Sequence, residues 1–130
     1  MAHHFEFDAE NKILLLVLEG EVEGHEIREG NKEIRKHVER LKPVAGISDF
    51  TGITKFNVTS DLMRSAALQP SPYQEETPRF IVAPTDYLFG MARMYELVAD
   101  RPKAMLKVLR TREAALAALG VKNAKFEPVQ

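Results

Sequence analysis

The sequence predicts an α/β domain on a small mixed, mostly parallel sheet, with elements in the order ββαβαβαβα. Three observations carry this reading. Short apolar runs of strand length alternate with amphipathic stretches of helix length after an initial pair of strands. A chain of 130 residues with 45% hydrophobic and 28% charged residues has the make-up of one globular unit, residues 1–130. No repeat, linker or low-complexity stretch divides it.

The first elements form a hairpin. His4-Phe5-Glu6-Phe7 alternates, Asp8 to Lys12 turns, and Ile13 to Leu18 is apolar enough to lie centrally in a sheet. From Glu23 to Leu41, apolar residues fall at Ile27, Ile34, Val38 and Leu41, with Gly30 and Asn31 on the same stripe, so this stretch reads as an amphipathic helix. Gly30 suggests a close approach of that helix to the sheet. Pro43 ends it, and Val44 to Ser48 is the third strand. A hydroxyl-rich loop with Thr51, Thr54, Thr59 and Ser60 leads to a second helix, Ser60 to Leu68. Gln69-Pro-Ser-Pro-Tyr73 breaks the chain, and residues to Thr77 read as loop.

Arg79 to Ala83 has the continuous apolar character of a strand buried on both faces. Asp86 to Ala99 follows as a helix, with Thr85 or Asp86 as its N-cap and Leu88, Met91, Ala92, Tyr95 and Val98 as its main stripe. Ala104 to Arg110 reads as a strand near one edge, because Lys107 interrupts its apolar positions. Thr111 caps a last helix, Arg112 to Leu119, and Gly120 closes it. Residues after Val121 read as a tail. Crossover rules place the helices on both faces of the sheet, or mostly on one.

Composition narrows the function. Lys plus Arg number 18 against 19 Asp plus Glu, so no basic surplus points to nucleic acid. Cysteine is absent, which excludes disulfides, thiolate catalysis and sulfur-ligated metal sites. The longest apolar run, Ile13 to Leu18, is too short to span a bilayer and lacks the flanks of a signal peptide, so a cytoplasmic protein is expected. His3 and His4 are adjacent, and in a strand they point to opposite faces, which argues against joint metal ligation. His25 and His37 lie twelve residues apart on the first helix, too far to meet at about 1.5 Å rise per residue. Gly20 and Gly24 form only G-x-x-x-G, without the Lys-Ser/Thr of a phosphate loop. No metal or cofactor is expected.

The segment DFTGITKFNVTSDL, from Asp49, resembles the signature loop of STAS domains, the superfamily of bacterial anti-sigma-factor antagonists and sulfate-transporter tails. That loop reads D-φ-S-x-φ-x-φ-φ-D-S-S-G-φ, where φ is apolar. Asp49, Thr51, Ile53 and Phe56 fall on its strand-and-loop positions, and Asn57, Val58, Thr59 and Ser60 stand where the family has D-S-S-G. The segment from Ile81 to Glu96, IVAPTDYLFGMARMYE, is similar to a pattern of the SpoIIAA-like subgroup. The resemblance implies a regulatory module that binds a protein partner through Asp49, Thr51, Asn57, Thr59 and Ser60. It implies too that Thr59 occupies the position of the serine that accepts phosphate in the antagonists.

Read from the residues alone, Thr59 and Ser60 sit where a hydroxyl caps a helix, and the same position would bring a phosphate to free backbone N–H groups. Asp49 and Asp86 both follow strands at their carboxyl ends. They form either a carboxylate pair for acid–base or cation chemistry, or a loop-bonding aspartate and a helix cap. On the third helix, steps of about 100° place Phe89 with Arg93, Glu96 and Asp100 on the polar arc, while Tyr87, Met94 and Leu97 widen the apolar side. That width fits an irregular core or a second apolar contact: a small apolar or lipid-like ligand, a peripheral membrane surface, or a second copy in a homodimer.

Overall fold

The computed structural model describes residues 3–73, 76–99 and 105–129. Strand β1 (His3–Asp8) turns back into β2 (Ile13–Glu23), followed by α1 (Gly24–Leu41), β3 (Ala45–Asn57) and α2 (Ser60–Leu68). Then come β4 (Arg79–Val82), α3 (Asp86–Ala99), β5 (Leu106–Leu109), α4 (Arg112–Ala118) and β6 (Glu127–Pro128). The six strands form one mixed sheet in the order β5-β4-β3-β2-β1-β6. From β2 to β5 the pairings are parallel, while β1 lies antiparallel to both β2 and β6.

Each parallel strand lies beside the one before it in sequence, because every crossover steps toward the same edge. A right-handed crossover repeated in one direction returns each helix to the same face. Accordingly α1, α2 and α3 share one core with Leu14, Leu16 and Leu18 of β2, Phe50 of β3 and Ile81 of β4. The other face holds Ile13, Leu15, Ala45, Ile47, Phe80 and Val82, covered by Ala115 of α4 and by Leu119, Val121 and Phe126. Burial on both sides explains why β2 is apolar at successive positions, each Leu adding about 1.5–3 kcal/mol of transfer energy.

Several expected boundaries change. β1 begins at His3, and β2 runs five residues past Leu18 to Glu23. The expected loop after Ser48 is strand as far as Asn57, because the polar half of β2 supplies a partner, Glu19↔Gly52 through Glu23↔Asn57, with one register shift just before this stretch and one within it. The expected tail after Val121 contains β6, which pairs with Glu6 and Phe7. β5 starts at Leu106, and Ala104 lies outside the described residues. Gly30 is not required for close approach: a methyl there would meet Leu16 Cδ2 at an ordinary 3.6 Å.

Candidate functional site

Parallel strands bring the carboxyl ends of β2, β3, β4 and β5 to one rim of the sheet, and the expected residues gather there. Asp49 of β3 is in register with Val82, the last residue of β4, so the connection carrying Asp86 leaves from the same rim. Asp49 is 3% exposed and faces α4. Its Oδ1 accepts the Thr51 N–H at 2.9 Å and the Thr51 hydroxyl at 2.5 Å, and its Oδ2 accepts Arg112 Nε at 2.8 Å. Asp49 thus bonds backbone two residues on, but that backbone is strand and not the expected loop, and Arg112 adds an ion pair.

Asp86 does not cap α3. Thr85 does: its hydroxyl accepts the Leu88 N–H at 3.2 Å. The Asp86 side chain is fully exposed and accepts Arg110 Nη1 at 3.0 Å. Arg110 also donates to the Pro84 carbonyl at 3.3 Å and lies 4.1 Å from the centre of the Phe89 ring. Two arginines, Arg110 just after β5 and Arg112 at the start of α4, thus hold one aspartate each. Phe89 is half-buried beneath Arg110 rather than on a free polar arc, and Asp100 falls outside the described residues.

Along the same rim, α1 and α2 begin side by side. Glu23 closes α1 with a capping box: Glu26 Oε1 accepts the Glu23 N–H at 3.0 Å, and Asn57 Nδ2 donates to Glu23 Oε1 at 3.1 Å. Thr59 is the exposed N-cap of α2, its hydroxyl oxygen accepting the Leu62 N–H at 3.1 Å. Ser60 and Asp61 follow, both exposed, and Asp61 pairs with Arg64 at 3.2 Å. The rim therefore presents Thr51, Asn57, Thr59 and Ser60 outward while Asp49 is enclosed. Of these, Asp49, Thr51 and Asn57 lie on a strand, and the connection to α2 is only Val58 and Thr59.

On α3, Arg93 pairs with Glu96, Met94 is half-buried, and Tyr87 and Leu97 are 59% and 64% exposed. Leu88, Ala92 and Tyr95 fill the space above the sheet. What remains beneath α1 and α3 is a cavity of about 30 Å³ with Glu26, Asn31, Ser48, Met63, Arg79 and Tyr95 in its wall. That is room for about two waters, each needing roughly 10–15 Å³ of such space, far below the roughly 300 Å³ at which small-molecule pockets begin.

Sequence reasoning missed Arg79 as a separate feature. It opens an apolar strand yet is a buried cation, 8% exposed, with its Nε lacking a partner among the described residues. Nη2 donates to Asn31 Oδ1 at 3.4 Å, and the Tyr73 and Tyr95 rings lie 5.4 and 5.7 Å from Cζ. The Tyr73 hydroxyl is likewise buried without a partner among the described residues. Burial pushes its phenol up to about 12, with Arg79 pulling the other way. The available signal was an arginine heading a strand otherwise apolar on both faces. Nothing in spacing signalled Arg110 or Arg112.

Among the described residues, no group of three or more His, Cys, Asp or Glu is placed to hold a metal ion. None of the described helices is long and apolar enough to cross a membrane. His25 is exposed and His37 half-buried beside Phe5, ring centres 4.6 Å apart. No protein-family model and no curated protein matches the chain.

Proposed function

We propose that this chain is a non-enzymatic, STAS-like regulatory module that binds a protein partner at the rim carrying Thr59. The observation that carries the reading is the division of labour at that rim. Its aspartates Asp49, Asp61 and Asp86 are bound to arginines and Glu23 to Asn57 and the cap of α1, whereas Asn57, Thr59 and Ser60 are exposed at the head of α2. A carboxylate held by two hydroxyl or amide donors and a guanidinium is a structural strut rather than a waiting base.

Thr59 is the switch in this reading. Its hydroxyl already meets the first turn of α2, so a phosphate there would face unpaired N–H groups and the positive end of the helix dipole. It would also add up to about two negative charges beside the docking surface. The test compares Thr59→Ala and Thr59→Glu as bait, with the captured partner identified and its affinity for each variant measured. Thr59→Ala retains the partner and loses about 0.5–2 kcal/mol of stability as a cap, while Thr59→Glu weakens binding at least about tenfold, 1.4 kcal/mol. Equal affinities for the two variants would count against the switch.

A further inference from the structure

We propose that the amino-terminal end of the parallel sheet, opposite the Thr59 rim, docks on an anionic lipid surface. Of the five exposed large apolar side chains among the described residues, Val44, Leu68, Leu97 and Met105 belong to this end, and Tyr87 to the other. Chain topology gathers them. Each crossover returns its helix from the carboxyl rim to the strand starts, so α1, α2 and α3 finish where β2, β3, β4 and β5 begin. Val44 and Met105 immediately precede β3 and β5, Leu68 is the last residue of α2, and Leu97 lies in the last turn of α3. Gly46, Arg79 and Leu106 share one cross-strand row, so the starts of β3 and β5 stand two strand spacings apart, about 10 Å.

Charge selects the occupant. Exposed at the same end are Lys12, whose carbonyl accepts the Val44 N–H at 2.8 Å, then Arg35, Lys36 and Arg40 in the last two turns of α1, and Lys42 at its C-cap. The exposed carboxylates there are Glu10, Glu39 and Glu76, while that of Asp8 is buried under four donors. This end is therefore positive in a chain whose formal charge is -1. Its apolar side chains stand at the tips of four separate elements, not along one. A bilayer interface takes such points singly, an apolar tip among acyl chains and a cation at a headgroup. A protein partner would need a continuous apolar core ringed by polar groups. The α3 contact expected from the sequence shares only Leu97 with this surface. Docked this way, the molecule holds Asn57, Thr59 and Ser60 away from the lipid.

Co-sedimentation of the intact chain with vesicles tests the surface, using phosphatidylcholine alone and phosphatidylcholine mixed with phosphatidylglycerol. Binding should occur with the mixed vesicles only and fall at least about tenfold in high salt. Lys42→Glu, and separately Val44→Gln combined with Leu97→Gln, should each weaken it at least about tenfold. These side chains are exposed, so the variants should fold, which circular dichroism checks. Lys55→Glu makes the same charge change on the outer half of β3, at the opposite end, and should leave binding within about twofold. No sedimentation with the mixed vesicles overturns the proposal, as does equal binding to both vesicle types. Equal weakening by Lys55→Glu and Lys42→Glu would mean attraction by net charge alone, and overturns it too. Undiminished vesicle binding by the Val44 and Leu97 double variant overturns it as well, leaving those side chains to a protein partner.

Discussion

At the residue scale, single side chains do work that the chain order only half discloses. Asp8 is 1% exposed, and its carboxylate gathers four donors. Oδ1 accepts the Glu10 and Asn11 N–H groups, both at 3.1 Å, and Oδ2 accepts Asn11 Nδ2 at 2.7 Å and the Lys125 N–H at 3.3 Å. Burial pushes this carboxyl up, but the Asn11 side chain and the three backbone donors outweigh it and hold it below the ordinary aspartate value. The turn around Asp8 was legible from composition. The tie to Lys125 was not, because the two residues are 117 positions apart. A carboxyl depressed in the folded state stabilises above its unfolded pKa, and that stabilisation is lost as pH falls through the folded value. Asp8→Asn should therefore cost about 1–3 kcal/mol at neutral pH. The gap from the parent should narrow as pH falls below the ordinary aspartate range, as thermal melts at pH 7, 5 and 3 would show.

At the element scale, strong local signals were readable and weak ones depended on a neighbour. The amphipathic stripe of α1 and the cap Thr111 follow from spacing and hydroxyl position, whereas the choice of Thr59 over Ser60 and of Thr85 over Asp86 comes from the structure. The outer half of β3 did not announce itself, since polarity suggested a loop. Its strand form rests on β2, whose own outer half is equally polar, so neither segment identifies itself without the other. At the opposite end of β3, Gly46 makes room for Tyr73: an added Cβ would lie 2.0 Å from the tyrosine hydroxyl. Gly46→Ala should thus expel or tilt that ring and destabilise by about 1–3 kcal/mol as an overpacking change. Tyr73→Ala alone should cost about 3–5 kcal/mol. The double variant should be less destabilised than the sum of the two, a coupling that denaturant titration resolves. Strict additivity would mean that the ring is not keyed to this notch.

At the scale of the whole molecule, alternation of strands and helices sufficed for the class and for a mostly parallel sheet. It left the distribution of helices open between one face and both. The arrangement settles at three helices on one face and α4 on the other, because the chain leaves the last parallel strand at an edge and passes beneath the sheet. The arginine struts at the rim join Asp49 to Arg112 and Asp86 to Arg110, partners 63 and 24 residues apart, and no local pattern encodes such pairs.

The pairing of β6 with β1 has a kinetic consequence. Glu6 meets Pro128 and the Val129 N–H reaches the Phe5 carbonyl at 2.9 Å, so contacts far apart in sequence close this edge and should form late in folding. Neighbouring βαβ units close through short loops, whereas this seam closes across nearly the full polymer and bears the largest entropy of closure. Weakening it at Phe126, which packs on the second core, should accelerate unfolding and leave the refolding rate almost unchanged. Stopped-flow chevrons of Phe126→Ala would show that asymmetry, and a slowed refolding arm would place the seam in the nucleus instead. The β1–β6 edge is thus a latch on the native lifetime.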